Sequence, residues 1–218
     1  MADLIAVLGG TGQQGRGLAQ RFARAGVQVI VGSRDPTRAA GVVAGWPAAG
    51  PAIRVADYAS AVAQADVTIL AVPFSSLDVL LHEVQPHFRD GALVVDVVVP
   101  VAFTAGALTM MEVAAGSATE HVRARLPPHA RLAGAFKTLP AHLLGDLDRT
   151  LDCDEFVCGD SDASRADTSA LVRLLPGVRP VDVGPLSRAR SIEHLTMLAI
   201  AINRRHKVHD SRFRVVGL

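Results

Sequence analysis

The amino-acid sequence predicts a doubly wound α/β fold built on a mainly parallel β-sheet. Short apolar runs alternate along most of the chain with stretches of helical periodicity, which is the pattern of consecutive β-α-β units. The first apolar run, Leu4–Leu8, leads directly into a glycine-rich turn and the start of a helix. With 218 residues, of which 50% are hydrophobic, the chain can bury one large core or a domain plus a smaller lobe.

The glycine-rich turn after the first strand has the G-x-G-x-x-G spacing of Rossmann-type dinucleotide-binding folds. In that pattern the first glycine permits the turn, the second lets the backbone approach a pyrophosphate, and the third lets the helix pack on the strand. Such a turn can be purely structural, but its strand-to-helix context favours dinucleotide binding at the helix N-terminus. The residues predicted to bind the cofactor here are Gly10, Thr11, Gly12, Gln13, Gln14 and Gly15.

The end of the second predicted strand, Val27–Val31, indicates which dinucleotide is bound. NAD-preferring sites carry an acid at this strand end, which accepts hydrogen bonds from the ribose, whereas this chain continues with Gly32, Ser33 and Arg34. A hydroxyl and a guanidinium suit a 2′-phosphate, and Arg38 lies one helical turn further on. We therefore expect NADP, held by Ser33, Arg34 and Arg38; the alternative is that both arginines are merely solvated.

The next elements continue the alternation. Asp35 is expected to cap a helix, because Pro36 follows at the favoured first helical position. After it we predict a frayed helix end and loop at 41–51, a strand at 53–55, a helix at 57–66, a strand at 67–72, a helix at 76–87 and a strand at 92–99. The strand ending at Val72 should face the ligand crevice, so that Val72, Pro73 and Phe74 line the nicotinamide-ribose.

The stretch from Asp96 onward is less regular. Asp96 interrupts the most hydrophobic predicted strand, and a buried carboxylate is costly unless it is paired; we expect a structural partner, with the ligand edge as the alternative. Residues 101–116 are predicted to be irregular, either a mobile loop over the site or a plain surface connection. Ser117 and Glu120 have capping-box spacing and predict a helix that ends near Leu126.

The remaining sequence predicts a small C-terminal α/β lobe with a long final helix. The expected elements are strands at 131–136, 156–159 and 180–183, and helices at about 164–175 and 189–205. Apolar residues occupy too much of the last helix for a surface helix, so it should pack on the lobe or on a partner subunit. Basic residues at 204–214 suit a helix C-terminus or an anionic ligand tail. The predicted domains are 1–140, which binds NADP, and 141–218, which completes the acceptor site.

Composition narrows the classes of function. A net charge of +1 gives no electrostatic case for nucleic-acid binding, and no apolar run is long enough to predict a membrane span. Because the first strand begins at Leu4, a signal peptide is not expected, and we predict a cytoplasmic protein. Cys153 and Cys158 are separated by a strand-like segment that would hold them beyond disulfide reach, so both are expected as thiols. No metal site is predicted.

Several short motifs carry a family resemblance that covers nearly the whole chain. They are Val7-Leu8-Gly9-Gly10-Thr11-Gly12, Val31-Gly32-Ser33-Arg34, Val72-Pro73, Val98-Val99-Pro100, Thr138-Leu139-Pro140-Ala141, Val157-Cys158-Gly159-Asp160 and Asp182-Val183-Gly184-Pro185-Leu186-Ser187. Together they resemble the NADP-dependent oxidoreductases that act on coenzyme F420, an 8-hydroxy-5-deazaflavin. The resemblance implies NADP at Thr11, Ser33, Arg34 and Arg38, with Pro73, Val98 and the segment 137–139 next to the nicotinamide and the deazaflavin.

Two residues depart from the family pattern in the half of the site that would meet the second substrate. The family has a histidine where this chain has Lys137, and a serine where it has His194, two residues before Thr196. The candidate catalytic residues are Lys137, His194 and Thr196. Lys137 would stabilise negative charge on a reduced deazaflavin, and His194 would donate a hydrogen bond or relay a proton; the alternative for both is a structural role.

The resemblance implies hydride transfer between NADP(H) and coenzyme F420, a small-molecule acceptor, in a homodimer. The protein's part in such a transfer is mainly positioning and electrostatics. Related domains also occur in ferric reductases that pass electrons through a flavin, so the acceptor stays open. Two alternatives therefore remain, an NADPH-dependent reductase of a flavin, ferric chelate or other small acceptor, and a non-catalytic NADP(H)-sensing module.

Overall fold

The computed structural model describes residues 3–47, 51–104 and 107–218. Its strands are β1 (Leu4–Leu8), β2 (Gln28–Gly32), β3 (Arg54–Ala56), β4 (Val67–Leu70), β5 (Leu93–Asp96), β6 (Val101–Thr104), β7 (Ala107–Met110), β8 (Arg131–Gly134), β9 (Cys153–Gly159) and β10 (Val178–Pro185). Its helices are α1 (Gln13–Arg24), α2 (Pro36–Ala44), α3 (Tyr58–Gln64), α4 (Leu77–Val84), α5 (Ala118–Arg123), α6 (Ala141–Gly145), α7 (Asp162–Arg173) and α8 (Ala189–His206).

One eight-stranded sheet forms the centre of the molecule, in the order β3-β2-β1-β4-β5-β8-β9-β10. The first six strands in this order are parallel to one another. β9 runs antiparallel to β8, and β10 runs parallel to β9. The arrangement confirms the predicted doubly wound, mainly parallel fold with a long C-terminal helix. The same sheet continues through both predicted domains, and their division at residue 140 stays a prediction.

Hydrophobic residues pack on both faces of the sheet. One cluster joins β1 and β4 to α1 and includes Ile5, Leu18 and Phe22, all fully buried. The opposite cluster joins the other face to α3, α4 and α5. Phe22 meets Phe136 edge-on, with ring centroids 5.9 Å apart, which links α1 to the chain that follows β8. Strands that are covered on both faces have nearly continuous apolar sequences, and the central strands of this chain have them.

Helix ends follow the signals that the sequence predicts. The Asp35 carboxylate accepts the Arg38 amide at 2.9 Å, and Pro36 begins α2. α2 ends at Ala44, and positions 48–50 of the predicted loop lie outside the described residues. Ser117 caps α5 by accepting the Glu120 amide at 3.1 Å. The Glu120 carboxylate accepts the Ser117 hydroxyl instead of its amide, so the predicted capping box is only half formed.

The prediction for residues 101–116 was wrong in part. β6 and β7 form a two-stranded antiparallel sheet in which Val101 pairs with Met110, where an irregular segment was expected. The Met111 amide donates to the Pro100 carbonyl at 2.8 Å and closes the base of the pair. Two strands this short have weak sequence signals, because few alternating positions are available to reveal them. The hairpin contacts α8.

The C-terminal strands and α8 decide the shape of one end of the molecule. Only Cys158 and Gly159 of β9 pair with β8, so the earlier residues of β9 project past the carboxyl end of β8. Ile192 and Ala199 of α8 are buried, whereas Leu198 is 50% exposed. The helix therefore packs on the C-terminal lobe, as predicted, and leaves the Leu198 side chain half exposed. Across the described ranges, we find no helix with the length and apolar character needed to cross a bilayer.

Candidate active site

Two cavities lie along the carboxyl edge of the parallel strands, where doubly wound sheets bind ligands. The first has a volume of about 530 Å³ and is bordered by the chain after β1, β2 and β4. The second, of about 730 Å³, is bordered by the chain after β5 and β8 and by α8. The turn that begins α1 separates them, because Thr11 and Gly12 line the first cavity and Gln13 and Gln14 line the second.

The glycine turn is closely packed against the end of β1. The left-handed backbone falls on Gly9, with φ of +78°, and not on Gly10, which the spacing had favoured as the turn residue. A Cβ on Gly10 would lie 3.0 Å from the Val7 carbonyl oxygen. One on Gly15 would lie 2.7 Å from the Gly9 carbonyl oxygen, so only glycine lets α1 approach the turn this closely.

The first turn of α1 offers backbone amides that could bind an anion. The first amides of a helix have no intrahelical partner, and here neither a capping side chain nor an acidic residue in the first turn meets them. Gly12 is the N-cap, and Gln13, Gln14 and Gly15 form the first turn of the helix. This cradle fits a pyrophosphate by the combined effect of free donors and the helix dipole.

A basic rim continues the first cavity beyond the end of β2. Ser33, Arg34 and Arg38 all line it, and both arginines are exposed. Asp35 is engaged as the cap of α2, so it is not free to serve as the ribose-binding acid of NAD sites. The charge of this rim suits a ribose bearing a 2′-phosphate.

Tyr58 and Glu83 are lining residues of the first cavity that the sequence analysis missed. Tyr58 is 7% exposed; burial raises the pKa of its phenol, and the adjacent Arg34 guanidinium opposes that rise. A signal was available for Tyr58, since it directly follows Asp57 at the helix start after β3, the strand beside β2.

Four further predicted residues follow the ends of β4 and β5. Val72 and Pro73 line the first cavity. Phe74 packs instead against His121, with ring centroids 5.1 Å apart, and Val98 is 4% exposed within the core. Val97 and Val99, the neighbours of Val98, line the second cavity, because side chains alternate between faces along an extended segment.

The second cavity combines apolar and polar walls and borders the chain that follows β8. Its volume is within the range of pockets that enclose a small organic ligand. Its lining residues are Gln13, Gln14, Val97, Val99, Lys137, Thr138, Leu139, Pro140, Ala141, His142, Thr196, Ala199, Ile200, Asn203, His209 and Ser211. Four of its polar residues, His142, Asn203, His209 and Ser211, were not predicted. The basic stretch at the end of α8 was the available signal for the last three.

Lys137 is held below the cavity wall in a buried ion-pair network. Its Nζ donates to Asp96 Oδ2 at 2.7 Å and to Glu193 Oε1 at 3.2 Å, and also to the Val98 carbonyl. Thr119 Oγ1 donates to the same Asp96 oxygen at 2.8 Å. These contacts confirm that Asp96 has a structural partner, and they direct the lysine charge away from the cavity.

The protonation of this network follows from its charges. Burial lowers the pKa of Lys137, but the carboxylates of Asp96 and Glu193 raise it, and the net shift is upward. Burial raises the pKa of Glu193. Lys137 therefore remains an ammonium, and the network ties the end of β5, α5 and α8 to the segment after β8.

The other two candidate catalytic residues lie in different surroundings. Thr196 lines the second cavity, and its hydroxyl donates to the Lys137 carbonyl at 2.9 Å. His194 is exposed and lines neither cavity; its Nδ1 lies 2.7 Å from the Arg190 carbonyl within α8. The structure therefore brings Lys137 and Thr196 together and leaves His194 apart from them.

Glu155 of β9 is a buried carboxylate beneath the same segment, and the sequence analysis missed it. Its Oε1 accepts the Lys137 amide at 3.0 Å, and its Oε2 accepts the Thr138 hydroxyl at 2.8 Å. Burial raises the pKa of Glu155 to about 7, although these hydrogen bonds lower it in part. The available signal was an acid inside a strand that is otherwise apolar at its centre.

Comparisons with known proteins agree with this arrangement. The family model described as "NADP oxidoreductase coenzyme F420-dependent" matches residues 4–100. The F420-dependent NADP reductase of Methanothermobacter thermautotrophicus is 36% identical over 225 aligned positions, which cover 100% of this chain and 97% of the relative. The enzyme of the same description from Methanothermobacter marburgensis is 34% identical, with 98% of each chain covered.

A solved structure supports the same likeness. The crystal structure of a candidate F420-dependent NADP reductase from an Arthrobacter species superposes with a TM-score of 0.85 at 27% sequence identity. The superposition covers 97% of this chain and 98% of the other. The similarity therefore extends through the C-terminal lobe and the second cavity, beyond the segment that the family model matches.

Proposed function

We propose, from the premise that this chain belongs to the family of coenzyme F420-dependent NADP reductases, that it transfers a hydride between NADP(H) and a deazaflavin of the F420 type. The observation that carries the proposal is the pairing of two cavities across the first turn of α1. One has the features of a phosphorylated dinucleotide site, and the other is large enough for a planar ring system. A single hydride donor and a single acceptor can thus meet at one sheet edge.

The first cavity is proposed to hold NADP(H). The amides of Gln13, Gln14 and Gly15 would bind the pyrophosphate, with Gly10 and Gly12 allowing the close approach. Ser33, Arg34 and Arg38 would bind the 2′-phosphate, and Thr11, Val72 and Pro73 would border the ribose nearer the reacting end. These assignments are supported by the residues' shared cavity and by the charge of its rim.

The second cavity is proposed to hold the deazaflavin. Val97 and Val99 offer apolar surface to a ring, while Asn203 and Ser211 offer polar groups to its edge. Residues 141–218 supply half of the residues that line this cavity, which is why we propose that the C-terminal lobe completes the acceptor site. Phe74 and Val98 would act from the core, by supporting residues that line the cavities.

The chain's own contribution to the reaction is positioning and electrostatics. The bound pair supplies the hydride chemistry, between the nicotinamide C4 and the deazaflavin C5. The chain fixes the two binding surfaces relative to each other, since Gln14 Nε2 of α1 donates to the Phe136 carbonyl at 2.7 Å. Holding two reactants in register can account for a large part of an enzymatic rate enhancement.

The structure changes the role that we propose for Lys137. The Lys137 ammonium donates its hydrogen bonds to Asp96, Glu193 and the Val98 carbonyl. Its charge is therefore neutralised by the protein's own carboxylates and is not directed at a ligand. We propose that Lys137 is a positioning residue for the cavity wall and that Thr196, through the Lys137 carbonyl, supports it. A catalytic contact by His194 would require a change of side-chain position, because it lines neither cavity.

The test is oxidation of NADPH by the purified protein, followed by the loss of nicotinamide absorbance. Parallel reactions contain coenzyme F420, FMN, a ferric chelate or buffer as acceptor, and NADH replaces NADPH in a control series. Turnover with F420 and NADPH, and little with NADH, is the expected result. Turnover only with FMN or the chelate would contradict F420 as the acceptor and identify a reductase of those compounds. Tight NADPH binding without turnover would favour a sensing module.

We also propose that the protein is a cytoplasmic homodimer. The apolar face left uncovered by α8 and the β6–β7 hairpin supports the dimer, with Leu198 50% and Phe103 76% exposed. Solvent exposure of this much apolar surface on adjacent elements is typical of an interface. The cytoplasmic location is supported by the proposed use of NADP(H) as a diffusible substrate, and cell fractionation tests it.

A further inference from the structure

The segment after β8 forms part of the wall of the second cavity, and its backbone is held in an unfavourable conformation. Phe136 has a φ of +56°, which a bulky residue adopts only when its surroundings impose it. The next residues, Lys137 to Leu139, line the second cavity. The shape of this wall therefore depends on whatever holds the segment in place.

Side chains of four elements, α1, β5, α8 and β9, hold the segment. Gln14 of α1 donates to the Phe136 carbonyl, and Thr196 of α8 donates to the Lys137 carbonyl. The Lys137 ammonium is bound to Asp96 and Glu193. Glu155 of β9 accepts two hydrogen bonds from the segment, one from the Lys137 backbone amide and one from the Thr138 side chain.

We propose that Glu155 is a positioning residue for the acceptor: its buried carboxylate holds residues 136–138 in the shape that forms the cavity wall, and so sets the affinity for the deazaflavin. This role rests on the proposed function. It follows from the topology, because the first residues of β9 project past the end of β8 and place Glu155 directly beneath the segment. Glu155 is 0% exposed, so it would act through Lys137 and Thr138 without touching the ligand.

The ionised form of Glu155 is the one that fits its partners. Each Glu155 oxygen accepts a hydrogen bond from a donor in the segment, and in a closed site no water can take the place of that oxygen as acceptor. A proton on either oxygen would make that oxygen a donor and weaken the hydrogen bond that it accepts. Because the pKa of Glu155 is about 7, the carboxylate changes form near neutral pH. We therefore expect deazaflavin affinity to fall as the pH drops through this value.

The charged groups around Glu155 are held by partners of their own. Cys153 on the same strand lies near Glu155 and Arg212, and burial raises the pKa of its thiol to about 12. Lys137 keeps its ammonium on Asp96 and Glu193. Asp154 is paired with Arg179, away from the segment. His142 and His209 lie at the cavity rim, and they are the same in every variant used below.

The experiment measures equilibrium binding of oxidised F420 by its fluorescence, and of NADPH separately, at about pH 8 and about pH 6. For Glu155→Gln we expect the F420 Kd to rise about tenfold at the higher pH, the effect of one lost charge-assisted hydrogen bond. At the lower pH the wild-type residue is itself protonated, so the ratio should narrow to about twofold. The Kd for NADPH should stay within about twofold at both values. Since the deazaflavin phenol titrates equally in all samples, the ratio isolates Glu155.

Asp154→Asn is the matched control, because it removes a buried charge from the adjacent position of the same strand. Its F420 Kd should stay within about twofold of wild type at both pH values. A second pair of variants keeps the test independent of how Glu155→Gln folds. Thr138→Val removes one donor to the carboxylate and should weaken F420 binding, whereas Thr138→Ser keeps the hydroxyl and should restore it.

Unfolding provides a readout that needs no ligand. The folded-state pKa of Glu155 lies above its ordinary value of 4.5, so the folded protein binds the proton more tightly than the unfolded chain. The stability of wild type relative to Glu155→Gln should therefore fall as the pH rises from about 4.5 to 7 and stay level above that.

The possible results distinguish a failure of the Glu155 role from a failure of the proposed function. An equal loss of F420 affinity at both pH values, an equal loss for NADPH, or a pH-independent stability difference would overturn the role of Glu155 while leaving the activity in place. Wild-type protein that binds NADPH but no F420 at either pH would overturn the proposed acceptor, and this role with it.

Discussion

At the scale of single residues, the cofactor site depends on exposed charge and the acceptor site on buried charge. Arg34 and Arg38 are exposed and line the first cavity, so their contribution to stability is small and their contribution to binding can be large. Lys137, Glu155 and Glu193 are buried beneath the second cavity. Changes in those residues would affect folding and the cavity wall together.

The first prediction concerns the choice between NADP and NAD. Replacing both Arg34 and Arg38 with alanine should raise the KM for NADPH by about 10- to 100-fold, since each guanidinium would lose a charge-assisted bond to the 2′-phosphate. The KM for NADH should change by less than about twofold. Arg173→Ala, an exposed position of α7, is the control. Equal effects on both dinucleotides would contradict a 2′-phosphate role.

The second prediction concerns the buried ion pairs. Lys137→Met should lower the free energy of unfolding by about 3–5 kcal/mol, because it leaves the carboxylates of Asp96 and Glu193 buried without a counter-charge. Those carboxylates would then have raised pKa values, so the loss should shrink as the pH falls. Chemical denaturation at several pH values measures this.

An exposed pair supplies the comparison. Arg149 pairs with Asp210 across 3.4 Å, and their side chains are 50% and 37% exposed. Arg149→Met should therefore cost no more than about 1 kcal/mol. A similar cost for the two variants would show that Lys137 contributes no more than an ordinary surface charge.

At the scale of secondary-structure elements, the function depends on how closely α1 approaches the end of β1 and on how far β9 extends past β8. The first is decided by glycines, which the sequence displays. The second is decided by strand register, since only the last two residues of β9 pair with β8. The hairpin of β6 and β7 adds a third element next to α8.

The third prediction tests the approach of α1. In Gly15→Ala the new Cβ would meet the Gly9 carbonyl oxygen at 2.7 Å and the Gly10 Cα at 2.8 Å, so the helix would have to move away from the turn. NADPH affinity should fall by at least about tenfold, measured by calorimetry, with a loss of stability of roughly 1–3 kcal/mol.

Gly41→Ala is the matched helix control. Gly41 lies within α2, and a Cβ there would meet nothing within 4 Å. This change should stabilise the protein by about 0.5–1 kcal/mol and leave NADPH binding unchanged. If Gly15→Ala behaved in the same way, the close packing of the turn would not be needed for binding.

At the scale of the whole molecule, a single sheet joins a dinucleotide site and an acceptor site on one edge, and α8 links that edge to an uncovered apolar face. The inner side of α8 supplies Glu193 and Thr196 to the site, while Leu198 faces outward. A partner that covered this face would also restrain the helix that supports the acceptor cavity.

The fourth prediction tests the proposed homodimer. Leu198→Glu should shift the protein from dimer to monomer in light scattering coupled to size-exclusion chromatography, because it places a charge in the apolar face. Val216→Glu, at a position that is 95% exposed, should leave the oligomer unchanged. A wild-type protein that is monomeric at micromolar concentration would contradict the dimer directly.

The sequence by itself determined the features that depend on local chemistry. Glycine spacing and apolar alternation were sufficient for the parallel sheet and the dinucleotide turn, because backbone sterics and side-chain period act over a few residues. Asp35 and Pro36 specified a helix start for the same reason. The sequence also shows Ser33 and Arg34, not an acid, directly at the end of β2, and this supports the NADP proposal.

Only the tertiary structure decided which side chains meet beneath the wall of the second cavity. Lys137 and Glu193 are far apart in the chain, and Glu155 reaches the segment after β8 only because β9 runs antiparallel and extends past it. The same folding turns His194 outward and Thr196 inward on one helix. Strand register and helix rotation depend on the packing of the whole core, and a local sequence pattern contains neither.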